Sequence, residues 1–137
     1  MAQLSLFAGR RQRGKSPPPE PELNLQCAVA DILDRWGTRG WKFTHLPMGE
    51  RRNVITGARL KRMGTKRGWP DFILLSPYPS RAHFLELKRL GAKLTDEQQE
   101  FQWFCVANEI PYAMADSLKD AMAALKDWGA VRAKVSA

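Results

Sequence analysis

At 137 residues, 44% of them hydrophobic, the chain carries enough apolar material for one compact domain with a tail, and its short apolar runs exclude a membrane-spanning helix. The N-terminus lacks the apolar stretch of a secretory signal, and Cys27 and Cys105, each in an apolar helical pattern, cannot build a disulfide framework, so a reducing, cytoplasmic compartment is expected. The 22 Lys and Arg against 14 Asp and Glu give a net charge of +8, which favours a polyanionic partner, nucleic acid first.

Residues 1–21 read as a tail. Arg10, Arg11, Arg13 and Lys15 are followed by Pro17-Pro18-Pro19, a composition with little to bury. A helix is predicted to open at Pro21, because proline suits the first helical position. Leu25, Ala28, Val29, Ile32, Leu33 and Trp36 form its apolar stripe, and Gly37 stops it. Trp41 to Leu46 reads as a strand. The basic segment from Arg51 to Gly68 follows, with a short helix at Ala58-Arg59-Leu60-Lys61. Asp71 to Leu75 and His83 to Lys88 are strands joined by a Pro- and Ser-rich loop, so they should pair as a hairpin. Thr95-Asp96-Glu97-Gln98 has capping-box spacing and opens a helix to about Asn108. Ile110 to Ala115 is a further strand. Ser117 caps a last helix with Ala121, Ala124, Leu125 and Trp128 inward, ended by Gly129. Interleaved strands and helices imply an α/β domain over 22–130, with a mixed central sheet flanked by helices and a short tail at 131–137.

The chemistry concentrates in two strands. In His83-Phe84-Leu85-Glu86-Leu87-Lys88, alternation puts Glu86 and Lys88 on one face and Leu85 and Leu87 on the other. A solvent-facing polar side is the ordinary reading of such a strand. The preceding strand, however, begins Pro70-Asp71, and a hairpin brings Asp71 beside Glu86. Neighbouring strands lie about 4.8 Å apart, close enough for two carboxylates to share one hard divalent cation. Such a cation, held by Asp71 and Glu86 with the Leu87 carbonyl as a further ligand, would activate water and polarise a phosphodiester. Lys88 would orient the attacking water or stabilise developing charge. His45 and His83 are expected to be structural, and Trp36, Trp69, Trp103 and Trp128 to join the core; base stacking is the other reading of Trp69.

Gly68-Trp69-Pro70-Asp71, Glu86-Leu87-Lys88-Arg89 and Leu94-Thr95-Asp96-Glu97-Gln98, in that order and spacing, resemble the VRR-NUC family of the PD-(D/E)XK nuclease superfamily. Ala58-Arg59-Leu60-Lys61 and Gly64 resemble what such nucleases carry upstream, and the likeness spans roughly Glu22 to Trp128. It implies a restriction-endonuclease-like αβββαβ core and an Mg²⁺-dependent DNA endonuclease, with Mn²⁺ able to substitute. Related chains often read Pro-Asn-Gly where this one has Pro47-Met48-Gly49, so no role passes to Met48. The family also implies a glutamate on the first helix near the metal. Glu20 lies outside the helix, so Glu22 is chosen; a first-turn acid that merely complements the helix dipole is the alternative. Gln98 either closes the capping box or, as the family implies, stands beside the catalytic lysine.

Arg51, Arg52, Arg59, Lys61, Arg62, Lys66 and Arg67 set seven positive charges against Glu50 just before this site, a pattern for phosphate contact. Gln3-Leu4-Ser5-Leu6-Phe7 resembles the short peptide by which bacterial polymerases and repair proteins bind the sliding clamp, with Leu6 and Phe7 as apolar anchors. The combined reading is a bacterial or phage endonuclease, a homodimer acting on branched DNA such as four-way junctions or flaps. A catalytically silent DNA-binding or clamp-tethered module is the rival from another class, and an RNA-directed nuclease is a second.

Overall fold

The computed structural model describes residues 21–47 and 54–134. Eight elements follow in chain order: α1 (Pro21–Trp36), β1 (Lys42–His45), α2 (Val54–Arg62), β2 (Phe72–Leu75), β3 (Ala82–Leu87), α3 (Asp96–Ala107), β4 (Tyr112–Ala115) and α4 (Leu118–Trp128). The tail, with Gln3, Leu4, Leu6 and Phe7, and the residues Met48, Arg51 and Arg52 lie outside the described residues.

The sheet runs β1-β2-β3-β4, with β1–β2 and β2–β3 antiparallel and β3–β4 parallel. The expected hairpin is β2–β3. The parallel pair needs a crossover, and α3 supplies it. Period-2 alternation separates two faces. Phe72 and Leu74 of β2, with Leu85 and Leu87 of β3, are fully buried against Val29 and Leu33 of α1 and Ala121, Met122 and Leu125 of α4. On the other face, Phe84 of β3 meets Phe101 of α3 edge-to-face and Phe101 meets Tyr112 of β4 at a tilt, with ring centroids 5.0 and 6.3 Å apart. Trp69 closes this second cluster, 4.9 Å from Phe101.

Local signals end the helices as expected. Thr95 and Gln98 complete the capping box of α3, Ser117 caps α4, and Gly129 closes α4 in the left-handed conformation at φ 76°. Three expectations need correction. The folded unit continues past residue 130, because Val131 is buried and bridges Gly37, and the Arg132 amide donates to the Trp36 carbonyl. The short helix in the basic segment is α2, nine residues long rather than four. Trp36 and Trp103 are 46% and 60% exposed, since the sheet covers a narrower arc of α1 and α3 than their apolar stripes offer. Arg132 lies over the Trp36 ring at 5.8 Å. Cys105 is buried, whereas Cys27 is exposed. His83 is structural as expected: it is buried, sits between the Trp41 and Trp128 rings, and burial lowers its pKa.

Candidate active site

Asp71 immediately precedes β2. Phe72 pairs with Leu85, so continuing the antiparallel register by one residue sets Asp71 opposite Glu86. Backbone and side-chain bonds fix Asp71 from both sides. Its carbonyl accepts from the Leu46 amide at 2.7 Å and from His45 Nδ1 at 2.8 Å. Because a carbonyl only accepts, His45 carries its proton on Nδ1. The Asp71 carboxylate Oδ2 accepts from the Leu87 amide at 2.7 Å. Leu87 is therefore tied to the site through its N–H.

Glu86 is 2% exposed. β3 lies between β2 and β4, and the Phe84–Phe101–Tyr112 cluster covers the face from which Glu86 projects. The solvent-facing reading of this strand is thus wrong: its polar face is buried. Burial first, and the Asp71 charge second, push the Glu86 carboxyl from 4.5 up to about 8, against the pull of Lys88. Asp71 is likewise raised, chiefly by burial, with the Leu87 amide opposing. Burial disfavours the charged form of both acids; the Glu22 charge adds to this at Asp71, and the Asp71 and Glu22 charges add to it at Glu86.

Lys88 Nζ lies 3.6 Å from Glu86 Oε1, and both side chains are nearly buried. Gln98 Nε2 donates to the same oxygen at 2.7 Å. The Gln98 Oε1 meanwhile accepts from the Thr95 amide at 2.9 Å, closing the capping box. The two readings of Gln98 are both correct, one at each end of its amide. These bonds use Asp71 Oδ2 and Glu86 Oε1. Asp71 Oδ1 and Glu86 Oε2 take no hydrogen bond from the described residues.

Glu22 stands in the first turn of α1, partly buried, and its charge raises the pKa of both Asp71 and Glu86. Among the described residues, no three His, Cys, Asp or Glu side chains gather tightly enough to hold a metal ion. The register sets Asp71 and Glu86 opposite each other, and Glu22 does not complete a three-carboxylate cluster with them although its charge is felt by both. That donor set fits Mg²⁺ or Mn²⁺, which take hard oxygen ligands; Mg²⁺ commonly keeps several waters beside one or two carboxylates.

Arg59, Lys61 and Arg62 lie exposed on α2, and Lys66 and Arg67 are exposed in the loop that leads to Asp71. Sequence reasoning did not single out His45 and Tyr112 for the site. His45 anchors the Asp71 backbone, and Tyr112, raised in pKa by burial and then by the Glu86 charge, walls the buried side. Strand order and register bring both there, and neither is visible from local pattern.

Gln98→Glu separates the two duties of that residue. A glutamate keeps the Thr95 cap but replaces the donor to Glu86 with a like charge. We expect the α3 cap to survive and cleavage to fall about 10–100-fold, the range for groups that orient a metal ligand. Cleavage rates and thermal melts on Gln98→Glu and Gln98→Ala check this; only Gln98→Ala should weaken both.

The model of the VRR-NUC domain matches residues 35–118. Asp71, Glu86, Lys88 and Gln98 fall inside that span, and Glu22 falls outside it. A solved structure titled "VRR_NUC domain protein" superposes with a TM-score of 0.64 at 20% identity, covering 82% of this chain and 90% of that one, a likeness of fold. No curated protein matches the chain. With its mixed sheet, its crossover helix and its Asp71, buried Glu86 and Lys88 inside the matched span, the chain belongs to the VRR-NUC domain family, a nuclease family of the PD-(D/E)XK type.

Proposed function

We propose that the protein is a divalent-cation-dependent DNA endonuclease whose centre is Asp71, Glu86 and Lys88. The observation that carries this is a pair of carboxylates set opposite each other by the β2–β3 register, both raised in pKa by burial first and then by a neighbouring acid's charge, Glu22 at Asp71 and Asp71 at Glu86, a costly arrangement that a cation would relieve. Asp71 and Glu86 would hold it, with the Leu87 carbonyl as a further ligand and Glu22 adding negative charge from α1. When bound, Mg²⁺ or Mn²⁺ supplies Lewis-acid polarisation of the phosphate and a more acidic water. The chain's own residues do the rest. The Leu87 amide and the His45–Asp71 contact fix one carboxylate, and Gln98 fixes the other. The Phe84–Phe101–Tyr112 wall keeps water from the buried side. Lys88 presents its ammonium to the negative charge that develops on the phosphoryl oxygens.

The substrate reading is branched DNA cut by a homodimer, in replication, recombination or repair. A single small domain has a narrow footprint, and two copies would present two such sites to a junction. Cleavage of single-stranded, duplex, flap and four-way-junction DNA with Mg²⁺, against the same reactions in chelator, tests it. Cleavage limited to the Mg²⁺ arm and strongest on branched substrates supports the reading. Tight DNA binding without cleavage under any cation favours the silent-module alternative.

Arg59, Lys61, Arg62, Lys66 and Arg67, with Arg51 and Arg52 beyond the described residues, are proposed to follow the phosphate backbone into the site. The logarithm of affinity should then fall with the logarithm of salt at roughly −0.9 per phosphate contact on duplex DNA. Arg59→Ala with Lys61→Ala and Arg62→Ala should flatten that slope by about two to three. Affinity measured across a salt series reads it, and an unchanged slope moves the DNA path elsewhere.

The Gln3-Leu4-Ser5-Leu6-Phe7 peptide is proposed to dock on a sliding clamp. Docking of that peptide would raise the domain's local concentration on clamp-loaded DNA without a new contact at its active site. Leu6→Ala with Phe7→Ala should remove capture by purified clamp and leave clamp-free cleavage intact. Equal retention of both proteins by clamp would end this reading.

A further inference from the structure

Beside the acidic pair lies a groove that neither carboxylate needs. Leu46, Met63, Thr65, Lys66, Trp69 and Ile73 line an open groove of about 370 Å³. That volume lies within the range of roughly 300–1,000 Å³ typical of small-ligand pockets. Ile73 is two residues beyond Asp71, so it projects to the same face of the sheet about 7 Å further along the strand. The groove is therefore about one nucleotide step from the proposed point of cleavage.

Its walls are built rather than accidental. Trp69 is packed on one side by Phe101 at 4.9 Å and by the edge of Phe84 at 6.1 Å, yet it remains 42% exposed. Gly68 holds φ at +88°, and a side chain there would collide with the Glu97 carbonyl of α3. The tryptophan is thus presented from backbone pressed against a helix. α2 is followed by a turn with a positive φ at Gly64, where the Thr65 amide donates to the Leu60 carbonyl at 3.0 Å. That turn brings Met63 and Lys66 into the lining that Trp69 shares. Apolar faces, an aromatic platform and the Lys66 ammonium, in the same exposed basic segment as Arg59, Lys61, Arg62 and Arg67, complement a nucleobase on its phosphate chain.

We propose that this groove binds one unstacked nucleobase of the strand being cut, stacked on Trp69, next to the phosphate at Asp71 and Glu86. The proposal rests on the nuclease reading above and deepens it. A base inside a continuous duplex must leave its stack to enter, whereas a base at a branch point or in a single strand is already free. Trp69 thereby selects DNA with unpaired bases.

The test reads binding, so it does not depend on turnover. Full-length protein in chelator is titrated with a single-stranded oligonucleotide carrying 2-aminopurine stepped through successive positions. The expected result is quenching confined to one register. Trp69→Leu should abolish that quenching and weaken single-strand affinity about 5- to 150-fold, the range for losing one base–aromatic stack, with fully paired duplex affinity unchanged. Trp69→Phe should keep most of both, which guards against a fold defect in the leucine variant. With Mg²⁺, an abasic site at the quenched position should slow the wild type and leave Trp69→Leu no slower. Uniform binding without quenching at any position would overturn the proposal while leaving the nuclease reading in place. No binding of any DNA would overturn both. A change in the sedimentation of the free protein on Trp69→Leu, with DNA binding untouched, would mean that a second copy fills the groove and would also overturn it.

Discussion

Glu86→Gln should abolish Mg²⁺-dependent cleavage and at the same time raise the melting temperature of the metal-free protein at pH 8. The two effects share one cause. The carboxyl is buried beside Asp71 and pushed up to about 8, so ionising it in the fold costs stability. Between its ordinary value near 4.5 and about 8, the folded state holds a proton that the unfolded state has lost. Wild-type stability therefore falls as pH rises through that window and is level above it. Glutamine does not titrate, keeps the oxygen that Gln98 donates to, and removes the charge that Asp71 disfavours. The gap in melting temperature should be small at pH 5 and reach about 4 °C or more at pH 8, at roughly 4 °C per kcal/mol for a domain of this size. Saturating Mg²⁺ should close it by stabilising only the wild type. The rate loss should reach about 10³-fold, because a Lewis-acid cation contributes several kcal/mol and about 1.4 kcal/mol is a factor of ten. Melting curves from pH 5 to 8 and single-turnover cleavage check both halves.

Lys88→Ala should lower the rate about 10²–10³-fold, as when one preorganised donor to developing charge is removed. Cation affinity corrected for proton competition should not fall with it, because the variant removes a positive charge beside the site. Lys88 lowers the Glu86 pKa, so its loss leaves Glu86 still harder to ionise without a cation. The expected signature is a cleavage defect with a pH–rate profile displaced upward, while DNA affinity changes by no more than one phosphate contact. Lys88→Arg keeps the charge but replaces a compact ammonium with a wide planar fork in a nearly buried position, so it should rescue little. Loss of cation binding in Lys88→Ala, or a full rate, would remove Lys88 from the chemistry.

Much of this site was legible because its signals are local. Pro70-Asp71 before an apolar run, Glu86 and Lys88 two apart in the next, and Thr95-x-x-Gln98 at a helix start all stand within short windows. Their roles as strand, strand and cap are set by neighbouring residues. What was not legible depends on strand order. Glu86 and Lys88 read as the wet face of a half-buried strand until β4 and α3 close over β3. His45 reaches the Asp71 carbonyl only because β1 pairs with β2 in the register His45–Phe72. Gln98 looked like a choice between two roles, and geometry shows an amide long enough for both. Trp36 and Trp103 fitted apolar stripes, but a stripe does not reveal how wide a face the sheet will cover.

The central claim is that the Asp71–Glu86 pair is a cation site and that Glu86 is protonated until the cation arrives. Calorimetric titration of the metal-free protein with Mn²⁺ at pH 7, in two buffers of different ionisation enthalpy, tests it most directly. A carboxyl held at about 8 is mostly protonated at that pH, so binding should release close to one proton per site, and Glu86→Gln should show neither the binding nor the proton. Cation binding that releases no proton and survives Glu86→Gln unchanged would contradict the account.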